Sequence, residues 1–425
     1  MPILRKRLST LLLSISILLA VVGGAFSVKA ETQAPASVPA FRGELLLGMS
    51  AAFTGQSRNL GIELYRGSMA YFRYINAHGG VNGRRIVLRT LDDGYNPDPA
   101  MENTIRLIED DSVIALFNYV GTPTVTRILP LLMLKRDRSR YLFFPFTGSQ
   151  PQREPPYDEY VFNLRASYIE ETAGLVSRLL EIGRSRIAVF YQADAYGRSG
   201  WDGVRRALRE NGLEIAGEAS YRRGASFKDS MSAQAAIIKD AQPDAVVSVG
   251  SYEACAAFIR DARAAGLDAP IANLSFVGSE SMLGLLMREG GAELTRDLIN
   301  SQVVPSYEDT SLPAVREYRR IMDEYAPGPP EGFGDESYAS PRYGFVSFEG
   351  FLNAKVMVHV LQRLGENARA ADIRRAAETL NNLDIGIDVP VGFSRNDHQG
   401  LVKIYYTTVS EGAFVPVQDW SRWEK

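Results

Sequence analysis

The residues able to do bond-making chemistry are few in this chain and badly spaced for it. Its 425 residues hold three histidines, His78, His359 and His398. None has a metal-ligand spacing, and the chain contains no H-E-x-x-H, no Walker A loop and no complete G-x-G-x-x-G or G-x-S-x-G. Asp92 and Asp93 form a carboxylate pair, but adjacent strand residues point to opposite faces and make no acid/base dyad. The single cysteine, Cys255, sits in an Ala-rich helical pattern (EACAAFIRDARAAG) that reads as packing. Nothing here argues for an enzyme, and no cofactor or metal is implied. Binding chemistry is better represented. Ala51–Gly55, Gly121–Thr124 and Thr147–Ser149 are rich in small residues and hydroxyls. Small side chains leave backbone N–H groups open to a ligand, and a helix N-terminus favours an anion. Thr122, Thr147, Gly148 and Ser149 can hold a carboxylate in this way. The same residues also read as local structure, with Thr122 capping a helix that starts at Pro123 and Thr147–Ser149 a turn. On the residues alone the two readings stand level.

The pattern supplies strands to carry these loops. An apolar run, Leu45–Met49, breaks at small residues and Gly55. A helical pattern follows, with Leu64, Tyr71, Phe72 and Ile75 on one face, and ends at Gly79-Gly80, which suit a left-handed C-cap. Asn82-Gly83 marks a tight turn, and Arg84–Thr90 alternates as a strand should. Strand, helix, strand is a βαβ unit, whose ligand side is the carboxyl end of its strands. Further β/α units follow. Strands are expected at Val113–Tyr119 and Tyr141–Phe146, then at Arg186–Tyr191, Glu214–Tyr221, Ala245–Val249 and Pro270–Leu274, with Gly386–Ser394 and Leu401–Val409 near the end. Two doubly wound α/β domains account for the series.

The run AAFTG…G…Y.RG…Y…IN…GGVNGR.I.L…DDGYNP resembles the opening of type I periplasmic solute-binding proteins of ABC transporters, most closely the leucine/isoleucine/valine-binding family. The likeness extends from about Leu45 to the C-terminus. It implies two doubly wound α/β lobes joined by three hinge crossings, with lobe 1 at 43–164 plus 303–385 and lobe 2 at 165–302 plus 386–425. It also implies a small polar ligand, an amino acid or related carboxylate, captured between the lobes and delivered to an ABC permease. The site carried over comprises Phe53, Gly121, Thr122, Thr147, Gly148 and Ser149 from lobe 1. From lobe 2 come Asp194, Tyr196 of a "YG" pair, Ser251, Tyr252 and Ser275. Trp201 is expected on the cleft side. One position departs from the pattern. Amino-acid binders of the family carry a glutamate, paired with the ligand ammonium, where this chain has Ser275 in NLSFVGSE. The nearest acids are Glu280 along the chain, and Glu253 and Asp194 on neighbouring loops, so branched-chain amino acid specificity does not carry over. The same fold also serves sensors that report to a membrane signalling protein, and an exported enzyme is the third reading.

The N-terminus carries its own signal. Arg5-Lys6-Arg7, an apolar stretch from Leu11 to Val22 and Val28-Lys29-Ala30 form the grammar of a cleaved secretory leader, expected over 1–30. The apolar stretch is shorter than the roughly twenty residues a membrane span needs. No cysteine follows it, which argues against a lipoprotein. Residues 31–42 read as a flexible lead-in. Losing 1–30 removes four basic residues and no acid, leaving 43 basic and 50 acidic residues, net −7. That balance attracts neither nucleic acid nor an anionic membrane. A periplasmic monomer without disulfides is expected, held by its core alone.

Overall fold

The computed structural model describes residues 41–334, 338–366 and 368–425. The leader and most of the lead-in lie outside the described residues. The chain begins β1 (Glu44–Ala51), α1 (Arg58–Ala77), β2 (Arg85–Asp92), α2 (Pro97–Glu109), β3 (Val113–Phe117), α3 (Thr122–Leu134), β4 (Leu142–Phe143) and β5 (Val161–Phe162). These strands form a parallel sheet in the order β2-β1-β3-β4-β5. Alternation along β1 explains why both faces are covered. Leu45, Leu47 and Met49 join the core under α1, whereas Leu46 joins a second core with Leu107 of α2 and Ile128 of α3. The Asn82-Gly83 turn holds both residues at positive φ and closes the Val81–Arg84 bridge that aims β2 alongside β1.

The second sheet is built from α4 (Tyr168–Glu181), β6 (Ile187–Gln192), α5 (Ala195–Glu210), β7 (Gly217–Tyr221), α6 (Ser232–Asp240), β8 (Ala245–Val249), α7 (Tyr252–Ala264), β9 (Ile271–Asn273), α8 (Ser279–Glu289), α9 (Ala292–Thr295) and β10 (Leu298–Gln302). The chain then returns to the first sheet for α10 (Pro313–Tyr325), α11 (Phe345–Arg363) and α12 (Ile373–Glu378), and finishes in the second with β11 (Tyr405–Ser410) and β12 (Ala413–Pro416). The order is β12-β11-β10-β9-β8-β6-β7, with antiparallel pairing at β10–β11–β12 and parallel pairing elsewhere. Helices α1 and α11 cross at backbone contact. A Cβ on Gly67 would sit 1.7 Å from the Ser347 carbonyl oxygen, and one on Gly350 would sit 2.2 Å from that of Leu64.

The two-lobed α/β architecture matches the expected one, with local differences. Gly386–Ser394 forms no strand; it carries a bridge at Val391 to Leu383 and one at Ser394 to Asp397. Phe393 stacks on Phe144 at 5.9 Å, so this segment still packs on the first sheet. A later passage of chain at 398–401 runs beside 163–164. There the Asn163 N–H donates to the His398 carbonyl and the Gly400 N–H to that of Asn163. His398 is a structural residue, its ring 3.8 Å from that of Phe162 and its Nδ1 2.9 Å from the Asp158 carbonyl oxygen. Strand β12 has no counterpart in the sequence reading, because a four-residue edge strand carries almost no periodicity.

Candidate functional site

The carboxyl ends of β1, β3 and β4 face those of β6, β8 and β9, and a cleft lined by aromatic rings and hydroxyls lies between them. From the first sheet, Thr122 and Thr147 are buried with their hydroxyl oxygens 2.6 Å apart. Thr122 does not cap α3: Gly121 holds the cap position at φ 104°, which frees the Thr122 hydroxyl for Thr147. Gly121 is glycine for the cleft's sake, since a Cβ there would lie 2.1 Å from the Tyr95 ring. Gly148 is similar, as its Cβ would lie 2.7 Å from both the backbone nitrogen and the ring of Tyr168. Ser149 turns away and donates its hydroxyl to Gln152. Phe53 lies apart from the threonines, stacked on Phe333 at 5.3 Å and edge-on to Tyr65.

From the second sheet, Tyr196 enters fully buried, 5.1 Å from the Tyr168 ring and 4.5 Å from that of Phe276. The hydroxyls of Tyr168 and Tyr196 make no hydrogen bond, although Thr122 and Thr147 lie beside Tyr168. Burial raises the pKa of both tyrosines, so both remain neutral donors. Asp194 caps α5, accepting from the N–H groups of Tyr196 and Gly197 and from Gln192. Its carboxylate is committed to the fold. Ser251 sits buried at the head of α7, and the Tyr252 hydroxyl meets the Asn59 N–H at 3.5 Å across the cleft. Other bridges between the lobes are Asn59 Nδ2 to the Ser281 hydroxyl at 3.1 Å, Gln192 Nε2 to the Tyr95 hydroxyl at 3.3 Å, and the Phe345 N–H to Glu280 at 3.1 Å. Trp201 is not on the cleft side; its indole N–H donates to Glu218 at 2.5 Å, beside β7.

Ser275 has an acid beside it, but none of the three expected from sequence. Glu253 accepts from the Phe227 N–H and Glu280 from Phe345, both away from Ser275. The neighbour is Glu171 of α4, fully buried, which accepts from the Ser275 N–H and hydroxyl at 2.9 Å each and from the Ser301 hydroxyl at 2.7 Å. Arg165, also buried, donates to the Ser275 hydroxyl and lies 4.5 Å over the Phe146 ring. Sequence reasoning missed Arg165, Tyr168, Glu171, Tyr95 and Phe276. Their convergence spans a hundred residues or more, which spacing does not encode. Among the described residues no cluster of His, Cys, Asp and Glu is arranged to hold a metal, and no helix is long and apolar enough to cross a membrane.

Two α/β sheets facing each other across a cleft of buried hydroxyls and rings are the architecture of a two-lobed solute-binding protein. The chain matches the periplasmic binding protein family model over residues 44–413 and belongs to that family, among the type I proteins of the leucine/isoleucine/valine-binding branch. It is similar to the solved structure of a possible leucine/isoleucine/valine-binding protein from Rhodopirellula baltica SH 1, with 30% identity and a TM-score of 0.79 over 92% of this chain and 100% of that one. Leu/Ile/Val-binding protein homolog 7 of Brucella abortus (strain 2308) is 24% identical over 367 residues, 83% of each chain. The fold is shared with a branched chain amino acid ABC transporter structure from Thermus thermophilus with bound valine, at 19% identity and a TM-score of 0.75 over 88% of this chain and 96% of that one.

Proposed function

We propose that this protein is exported through cleavage after Ala30, captures a small carboxylate-bearing solute between its lobes and delivers it to an ABC permease as a monomer. The observation that carries this reading is the cluster of buried hydroxyls on Thr122, Thr147, Tyr168 and Tyr196. These are neutral donors gathered at facing strand ends, where open α/β folds take ligands. The moving units are 43–164 with 303–397 and 165–302 with 399–425, hinged where 163–164 and 398–401 run side by side. Closure follows because the ligand bonds to both lobes only when they meet, which gives it higher affinity for the closed state. The permease then reads the closed outer surface.

Mass spectrometry of the molecule released on denaturing protein purified from the periplasm tests the reading. A carboxylate that restores binding in calorimetry and reduces the radius of gyration in X-ray scattering is expected. N-terminal sequencing of the same protein is expected to begin at Glu31. A released ligand without a carboxylate, or full-length chain retained in the membrane fraction, overturns the corresponding part.

A further inference from the structure

The polar groups around Ser275 decide what kind of carboxylate the cleft takes. Arg165 lies between two acids, its Nη2 3.7 Å from Glu171 Oε1 and its Nε 3.7 Å from Glu349 Oε1. Glu171 is already saturated by Ser275 and Ser301. Arg153 adds a second guanidinium, donating to the carbonyls of Ser149 and Arg165 at 3.2 Å each and to Gln399. The remaining acids of the cleft, Asp194, Glu253 and Glu280, each accept backbone N–H bonds. Most of the buried polar atoms without a hydrogen bond here are donors or hydroxyls: Arg165 Nη1, Arg165 Nε apart from its ion pair with Glu349, and the Tyr168 and Tyr196 hydroxyls, against the acceptors Asn273 Oδ1 and Gln150 Oε1. A buried donor without an acceptor costs free energy, so the site favours a ligand rich in acceptors. An ammonium has no acceptor of its own to bring and would meet a resident guanidinium at either acid it approached.

We infer that Arg165 occupies, from within the chain, the place a ligand ammonium would need, so that the site selects carboxylates lacking an α-ammonium, such as 2-oxo acids or simple monocarboxylates. This rests on the proposed carboxylate-binding function and narrows it. The rings of Tyr95, Phe146, Tyr196 and Phe276, with Phe276 4.5–5.9 Å from the other three, make the rest of the wall apolar, which suits a branched or aromatic body.

The test is calorimetry of the mature chain, stripped of bound solute, against matched sets: leucine, 4-methyl-2-oxopentanoate and 4-methylpentanoate, then phenylalanine and 3-phenylpropanoate. The amine-free members are expected to bind at least a hundredfold tighter than the amino acids. Amino acids binding as tightly or more tightly overturn the inference and leave the carboxylate reading standing. Binding by no member of either set overturns the carboxylate reading itself. Arg165→Gln, with near-UV circular dichroism to verify folding, is expected to narrow the gap at least tenfold. A folded variant with an unchanged ratio shows that Arg165 is not the determinant. If the variant does not fold, the wild-type ratio still decides.

Discussion

Thr122 and Thr147, 25 residues apart, meet hydroxyl to hydroxyl at 2.6 Å at the ends of neighbouring strands. Each satisfies the other, and removing one leaves its partner buried and short of a bond. Losing one member of such a pair costs about 1–3 kcal/mol, whereas replacing both with isosteric apolar groups costs much less than the sum. Thr122→Val and Thr147→Val are each expected to lower stability in urea unfolding, with a double variant less than additive. Each is also expected to weaken solute binding about fivefold, one lost hydrogen bond of about 1 kcal/mol. Additive stability losses contradict the pairing.

Closure should be nearly silent in tryptophan fluorescence. The chain's three tryptophans all belong to the second lobe's own packing. Trp201 bonds Glu218, Trp420 stacks edge-on with Tyr406, and Trp423 bonds Asp297. None spans the cleft. Saturating solute is expected to reduce the radius of gyration while the emission maximum stays in place. A large emission shift means that the tryptophan surroundings rearrange in a way rigid closure does not produce.

The α1–α11 crossing allows no side chain. A methyl group on Gly67 or Gly350 would strike a backbone carbonyl of the facing helix, which cannot rotate away as a side chain can. Gly67→Ala and Gly350→Ala are each expected to cost about 1–3 kcal/mol or more in chemical denaturation. Gly284→Ala on α8 is the control. Its nearest neighbour within 4 Å is the end of the Arg288 side chain at 3.4 Å, and alanine in a helix gains up to about 1 kcal/mol over glycine. Equal effects at all three sites remove the crossing as the cause.

What could be read from the sequence divides along the same physical line. The opening β1–α1–β2 unit is legible because its signals are local: Gly79-Gly80 at the helix end, Asn82-Gly83 in the turn, alternation in the strands. The threonine loops are legible as candidates for the same reason. The role of Thr122 is not, because a cap depends on the φ of Gly121 and on where Thr147 ends up. Glu171 shows the limit most plainly. It sits 104 residues from Ser275, and nothing near either residue signals that two backbone passages bring them to 2.9 Å.

Three carboxyls are expected to make the fold less stable as pH rises from 5 to 7. Burial pushes Glu280, Glu349 and Asp93 up to about 7 each, from ordinary values of 4.5, 4.5 and 3.8. In that window the folded chain holds protons that the unfolded chain has released. Stability then falls with pH, by at most about 1.4 kcal/mol per pH unit for each group. His359 works the other way. Burial lowers its pKa from 6.5, so the folded chain holds fewer protons there and stability rises with pH, but it is one group against several, since burial also raises Glu63 and Asp194. Carboxyls held low, such as Asp110 at about 2, contribute only below about pH 4. Urea unfolding at pH 5, 6 and 7 is expected to show a negative slope that Glu280→Gln flattens by roughly 1 kcal/mol per unit and His359→Gln steepens. Glu280 bonds the head of α11 from the opposite lobe, so the same substitution also removes an acceptor that links the lobes. A flat or rising wild-type slope across pH 5–7 means that these carboxyls are ionised in the folded chain.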